Sequence, residues 1–300
     1  MRRRIAADRI FEFSVPYDLH AASITEYVAI VNRFGSDGVI GEMDCFYSSW
    51  MTDCADGFSE DDIAALQRLM PFLALAIKSV SLGRIAETLV ETYLGRDAGR
   101  RVLSGRIDRG VADRIKAVLW FSDLRNYTRI ADTSAPEQII PLLNDYADAV
   151  VSAIHQNDGD VLKLIGDGVL AIFPAAQRHR ACAAALDAAT QAQQAVETLN
   201  ARRAGEGLPT TEMYLGLHIG EVFYGNIGSK ERLDFTVVGP AVNEVSRIAA
   251  MCRSVDQPVL LSQAFAASVA DQAGRFASVG RYALRGVGKP QELFTFDPRN

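Results

Sequence analysis

Cysteine is scarce: Cys45, Cys54, Cys182 and Cys252 are the only four in 300 residues. They are scattered, with neither the spacing of a disulfide framework nor that of a metal cluster. Free thiols suit a reducing compartment, so a cytoplasmic location is expected. Long apolar runs are missing as well. The longest, around Leu69 to Leu82, is short for a bilayer and holds Pro71 and Lys78, so no membrane segment is expected. Met1-Arg2-Arg3-Arg4 lacks the apolar stretch that follows in a signal peptide. No internal repeat or low-complexity tract is visible. Positive charge is in deficit, 31 Lys and Arg against 37 Asp and Glu. That balance argues against a nucleic-acid surface, and an anionic ligand must meet locally focused positive groups.

What is present is a chain that is 49% apolar, enough for a full core. Residues 1–60 alternate like short strands in TEYVAIVNRFG and MDCFYSSWMTD, with a turn at Gly35-Ser36-Asp37-Gly38 between them. Ser59 and the acids after it mark a helix start. Leu66, Met70, Leu73, Ile77 and Val80 then step 4, 3, 4, 3, the spacing of a two-helix seam, with packing on the chain's own domain as the competing reading. Pro71 is expected to kink this helix. A second short helix and a basic, glycine-punctuated linker follow. From Ala117 the order becomes β-α-β-β-α-β, a ferredoxin-like α+β pattern. The expected division is 1–80 for a smaller N-terminal α/β segment, 81–112 for a helical linker and 113–298 for the main domain.

Two carboxylates carry the chemical argument. Asp123 ends the strand AVLWFS, and Asp167 sits in the Gly166-Asp167-Gly168 turn between the next two strands. In a ferredoxin-like sheet the first strand lies beside that hairpin, so the two groups meet at one sheet edge. Two adjacent carboxylates repel, and a divalent cation removes the conflict. Mg²⁺ takes one or two carboxylates plus substrate phosphates, which predicts a metal-nucleotide site. The turn Leu124–Thr128 leads into a helix whose unpaired amides suit phosphate. Taken singly, Asp123 reads as a cap and Asp167 as a turn former. Asn243 and Arg247, at i and i+4, share a helix face. His218 and Trp120 read as core residues.

Four blocks, VLWFSDLRNYT, VLKLIGDGVLAIF, GLHIGEVFYGNIGS and DFTVVGPAVNEVSRI, resemble the signature blocks of the class III adenylate/guanylate cyclase catalytic domain. The resemblance covers about 113–298. It implies conversion of ATP to cyclic AMP and pyrophosphate, or the GTP equivalent, in a homodimer with sites shared at the interface. Asp123, Asp167 and the Leu124 backbone carbonyl match the metal ligands, for two Mg²⁺ or Mn²⁺. Leu124, Asn126, Tyr127 and Thr128 match the phosphate turn. Lys163 matches the purine-reading lysine. Thr236, where many adenylate cyclases carry Asp, resembles the subgroup that includes the bicarbonate-responsive soluble enzymes. Asn243 and Arg247 match the transition-state pair, and Arg285 stands near a triphosphate-binding lysine. Asn126 replaces a frequent glycine and tolerates positive φ. Glu221 stands where a phosphate-binding Arg occurs in the mammalian membrane enzymes, and Arg125 or Arg285 can replace that charge.

DGFSEDDIAALQRLMPFLALAIK resembles the last strand and closing helix of GAF sensor domains, at about half their length. It implies a sensory or dimerising module. An adenylate cyclase is the first reading. A catalytically weak nucleotide-binding regulator and a guanylate cyclase are the alternatives. A diguanylate cyclase is disfavoured, because this hairpin reads IGDGV.

Overall fold

The computed structural model describes residues 1–5, 22–34 and 45–296. The turn read at Gly35–Gly38 lies outside them. The chain divides into two compact units, Met1–Leu89 and Val90–Asn300.

In the first unit, β1 (Arg2–Arg4), β2 (Glu26–Arg33) and β3 (Cys45–Thr52) form an antiparallel sheet in that order. Glu26 is buried at the head of β2. Its carboxylate accepts from Arg2 Nε at 2.9 Å and from the Phe58 amide at 2.7 Å, which ties the sheet to the approach of the next helix. That helix, α1 (Glu60–Leu94), opens with a reciprocal cap: Ser59 Oγ accepts from the Asp62 amide at 3.1 Å, and Asp62 Oδ2 accepts from the Ser59 amide at 2.9 Å.

Three expectations change here. The helix runs through Pro71 without ending, and it is one element of 35 residues rather than two shorter ones. The seam read from Leu66 to Val80 is not a free face: Met70 and Ala74 are buried, and Met70 Sδ lies 3.7 Å from Ser48 Oγ on β3. The exposed stripe is a different one. Phe72, Leu75, Leu82 and Leu89 point outward, and with Ser79 and Ala86 they keep the same alternation of three and four. Among the described residues, α1 alone is also long and apolar enough to cross a membrane, although Lys78 and Arg84 fall midway along it.

The second unit follows through α2 (Arg96–Leu103). Its frame is β4 (Ala112–Leu124), α3 (Tyr127–Thr133), α4 (Pro136–Gln156), β5 (Asp160–Ile165), β6 (Gly168–Pro174), α5 (Arg178–Gly205) and β7 (Met213–Gly228). β8 (Leu233–Val238), α6 (Pro240–Val255), β9 (Val259–Ser262), α7 (Gln263–Ala266), β10 (Ala277–Tyr282) and β11 (Gln291–Thr295) complete it. The sheet order is β10-β11-β9-β7-β4-β6-β5, with β8 on β7. The four strands β7-β4-β6-β5 are the expected ferredoxin-like set, all antiparallel to their neighbours.

Alternation along β4 divides the core between the two faces of the sheet. Val118 and Trp120 pack with Tyr146 and Val150 of α4 and Leu186 of α5. Ala117 and Leu119 pack with Ala241 and Val245 of α6. The alanine-rich sequence of α5 fits this role: Ala181, Ala185, Ala188, Ala189 and Ala192 are buried and let the helix lie close.

Candidate active site

β4 and β6 are in register from Ala117↔Pro174 to Ser122↔Val169. One step further, Asp123 passes beyond its β6 neighbour, still paired with Tyr214 on β7, just where the β5–β6 hairpin turns. That turn has two residues, Gly166 and Asp167, between the pair Ile165↔Gly168. Gly166 takes φ 63°, which glycine adopts without strain. The expected meeting therefore occurs: the Asp123 and Asp167 side chains are within hydrogen-bonding reach.

The electrostatics follow from that contact. Burial first, then the hydrogen bond and charge of Asp167, push the Asp123 carboxyl up to about 7. The Leu124 amide, donating to Asp123 Oδ1 at 2.9 Å, pulls weakly the other way. Among the described residues no cluster of three or more His, Cys, Asp or Glu surrounds a metal position. Two half-buried carboxylates and an adjacent loop form a donor set that fits a hard divalent cation whose remaining ligands come from phosphate and water.

The turn expected to bind phosphate has the left-handed residue its sequence allows. Asn126 sits at φ 60°, ψ 26°, and the Ile130 amide bonds back to its carbonyl at 3.0 Å. Tyr127 and Thr128 start α3, where early amides lack intrahelical partners. Arg125 differs from expectation. Its guanidinium binds Glu212 at 2.7 Å and Asp256 at 3.2 Å, so it is committed elsewhere. Glu221 is paired with Arg114.

Lys163 on β5 donates to Asp234 Oδ2 on β8 at 2.8 Å. Thr236, two residues on, lies on the same side of β8 and is buried. Asp234 was missed in the sequence. The signal was there, since residues i and i+2 of a strand share a face. Asn243 and Arg247 lie on α6. The Arg247 guanidinium packs against the Gly286 backbone, where an added Cβ would fall 3.1 Å from Nη1. Arg285, exposed in the same β10–β11 loop, is its neighbour.

In the strand order the β10–β11 loop and the Asp167 turn are joined to strands that are not neighbours, with β9, β7 and β4 between β11 and β6.

An α+β domain with a carboxylate pair at a sheet edge, beside an amide-rich turn, defines a nucleotide-handling class. Comparison with known proteins narrows it. The adenylate and guanylate cyclase catalytic domain profile matches residues 112–297, and the chain belongs to that family. It is 30% identical over 208 residues to adenylate cyclase 1 of Rhizobium meliloti (strain 1021), covering 67% of this chain and 30% of that protein. It is 34% identical over 161 residues to an adenylate cyclase of Anabaena cylindrica, covering 52% of this chain and 31% of that protein. The chain thus spans about a third of these curated relatives. Among solved structures, the guanylyl cyclase Cya2 is 28% identical with TM-score 0.54, covering 61% of this chain and 92% of that one. The adenylyl cyclase CyaB from P. aeruginosa shares the fold at 22% identity and TM-score 0.57, covering 62% of this chain and 96% of that one.

Proposed function

We propose that the chain is an adenylate cyclase that converts ATP to 3′,5′-cyclic AMP and pyrophosphate in a homodimer with shared sites. The observation that carries this reading is the Asp123–Asp167 contact, a carboxylate conflict of the kind a cation relieves, in a chain of this family. Two Mg²⁺ or Mn²⁺ held by Asp123, Asp167 and the Leu124 carbonyl would lower the pKa of the ribose 3′-hydroxyl and balance phosphate charge. The 3′-oxygen bonds to the α-phosphorus, the bond to the bridging oxygen breaks, pyrophosphate leaves, and the hydroxyl proton passes to solvent. The later part of the turn Leu124–Thr128 receives phosphate oxygens on the amides of Asn126, Tyr127 and Thr128, those of Leu124 and Arg125 being bonded within the chain. Asn243 of the partner subunit's α6 orients the ribose, the partner subunit's Arg247 neutralises charge growing on the α-phosphate, and the partner subunit's Arg285 binds the triphosphate. Lys163 donates to the purine, and Thr236 accepts from the adenine amino group.

We read the carboxylate pair and the α6 group as two half-sites, and the two-chain arrangement is favoured by the chain's membership of this family. The outward stripe Phe72–Leu89 of α1 gives the first unit a face for its twin, because a 3-4 repeat is the spacing a second helix reads. We assign that unit a sensory or dimerising role and the catalytic unit a cytoplasmic location, which the free cysteines suit.

A guanylate cyclase is the second reading. Its support is the 28% identity to Cya2 and the Lys163–Asp234 pair, which can also face guanine O6 and N1–H. Product analysis with ATP and GTP separately, with Mg²⁺ or Mn²⁺, tests both. Cyclic AMP from ATP supports the first reading, cyclic GTP alone the second, and no cyclic product from either nucleotide refutes both.

A further inference from the structure

The block GLHIG contributes no ligand to the half-sites above. Its structure assigns it another task. Gly216, His218 and Gly220 alternate onto one face of β7, the face that α6 covers. A Cβ at Gly216 would fall 2.7 Å from both the Ala249 amide and the Val245 carbonyl. A Cβ at Gly220 would fall 2.5 Å from Ala241 Cβ. The helix therefore rests directly on strand backbone at both points. Such a seat is smooth. It brings α6 close but offers no side-chain ridge to fix how far the helix is turned about its axis.

The residue between the two glycines supplies that stop. His218 is buried, with Nδ1 2.9 Å from Ser262 Oγ. Ser262 Oγ also accepts the Phe265 amide at 3.2 Å, and its hydroxyl can donate to Nδ1. In that arrangement the imidazole proton sits on Nε2, which lies 3.6 Å from Glu244 Oε2, a packing contact longer than a hydrogen bond. The same carboxylate oxygen accepts from Gln291 Nε2 on β11 at 2.7 Å. Glu244 is thus hydrogen-bonded to β11 on one side and packed against the β7 imidazole on the other. It is the residue next to Asn243 and three before Arg247.

We infer that Glu244 is a positioning residue: clamped by His218 and Gln291, it sets the rotation of α6 and so the aim of Asn243 and Arg247. This rests on the roles proposed for those two residues. The leverage is large. A group about 6 Å from a helix axis moves about 2 Å when the helix turns by about 20°. A 1 Å misplacement of a reacting group can cost about a hundredfold in rate.

The test is steady-state kinetics of the full chain with ATP and Mn²⁺, for Glu244→Ala, Glu244→Gln, His218→Ala and the double variant Glu244→Ala/His218→Ala. Glu244→Ala is expected to lower kcat by about ten- to hundredfold with KM within about twofold. Glu244→Gln keeps an acceptor oxygen for both partners and stays within about threefold of the parent. The double variant loses little more than Glu244→Ala alone, because both act through one contact. Unchanged kcat in Glu244→Ala, a Gln variant as damaged as Ala, or fully additive losses would overturn the inference. Where the Ala variants fail to fold, Gln291→Ala decides on the same kcat criterion. Asn243→Ala separates the two levels. An inactive Asn243→Ala beside a fully active Glu244→Ala sinks only this inference; a fully active Asn243→Ala sinks the reading beneath it.

Discussion

The two half-sites are built on opposite principles. The carboxylate half is electrostatically unfinished: Asp123 and Asp167 face each other, and burial adds to the cost of charging them. The α6 half is held on several sides. Its helix lies on backbone at Gly216 and Gly220, Glu244 is tied from two strands, and Arg247 is packed against the β10–β11 loop. A group that must receive a cation gains from an unpaid conflict, because binding relieves it. A group that must aim at a transition state gains from being over-determined. One chain carries both kinds.

The largest expected effect breaks the comparison in two. Asp123→Ala removes the first half and Asn243→Ala the second, and each homodimer should lose about a thousandfold or more in kcat. An equal mixture should recover about a quarter of wild-type activity. Half the dimers are then hybrids, and each hybrid has one intact site of two. Cyclic nucleotide production after co-refolding measures it. A mixture as inactive as its parents would mean that the halves are not shared across subunits.

Lys163→Glu tests purine reading, which joins the halves. Placing a carboxylate opposite Asp234 removes the donor and adds repulsion. The kcat/KM for ATP should fall by about ten- to hundredfold, the range of one charged hydrogen bond. Separate ATP and GTP titrations check it. Unchanged ATP turnover would remove Lys163 from base recognition.

A smaller effect is expected from the twin helices that would bring the halves together. Leu75→Asp on the outward stripe of α1 should raise the dimer dissociation constant by at least about tenfold, because the pair loses two leucines, one from each copy. Analytical ultracentrifugation reads this directly. An unchanged constant would assign the stripe to something other than a second copy. Binding of the wild type to lipid vesicles, lost in the variant, would assign it to a membrane surface.

How much of this was legible depended on the range of the interaction. The β-α-β-β-α-β order and the Asp123–Asp167 meeting follow from local patterns plus one topological rule, because hairpin and strand order fix which ends touch. The positive φ of Asn126 was legible for the same reason. The α1 seam was not. Two apolar stripes on that helix share the 3-4 spacing, and only the three-stranded sheet decides which is used up. Asp234 was passed over because its contact with Lys163 joins two strands that do not pair with each other, 71 residues apart in sequence. Glu244 was not singled out, since its partners come from β7 and β11, which no helical spacing reveals.

The smallest prediction uses Asp160 as a control for the carboxylate pair. Asp160 is buried, and its Oδ1 accepts the amides of Arg96 at 3.2 Å and Asp97 at 3.4 Å, capping α2 from outside. Its Oδ2 is buried with no hydrogen-bond partner. Burial chiefly pushes this carboxyl up to about 6, in contrast to Asp123, where a second carboxylate adds to burial. A folded-state pKa above the ordinary value of 3.8 means that the folded form holds the proton more tightly than the unfolded form. The group's stabilising contribution is therefore full below about pH 4 and lost as pH rises through about 6. Asp160→Asn keeps an acceptor for the two amides and removes the titration. Melting curves of metal-free protein from pH 4 to 7 should show the wild type losing about 2–4 °C relative to the variant across that window. Asp123 is common to both proteins, so its own titration cancels in the difference. Parallel curves would mean that the amides of α2 already balance the buried charge, and burial alone would then not explain why the Asp123 site resists ionisation.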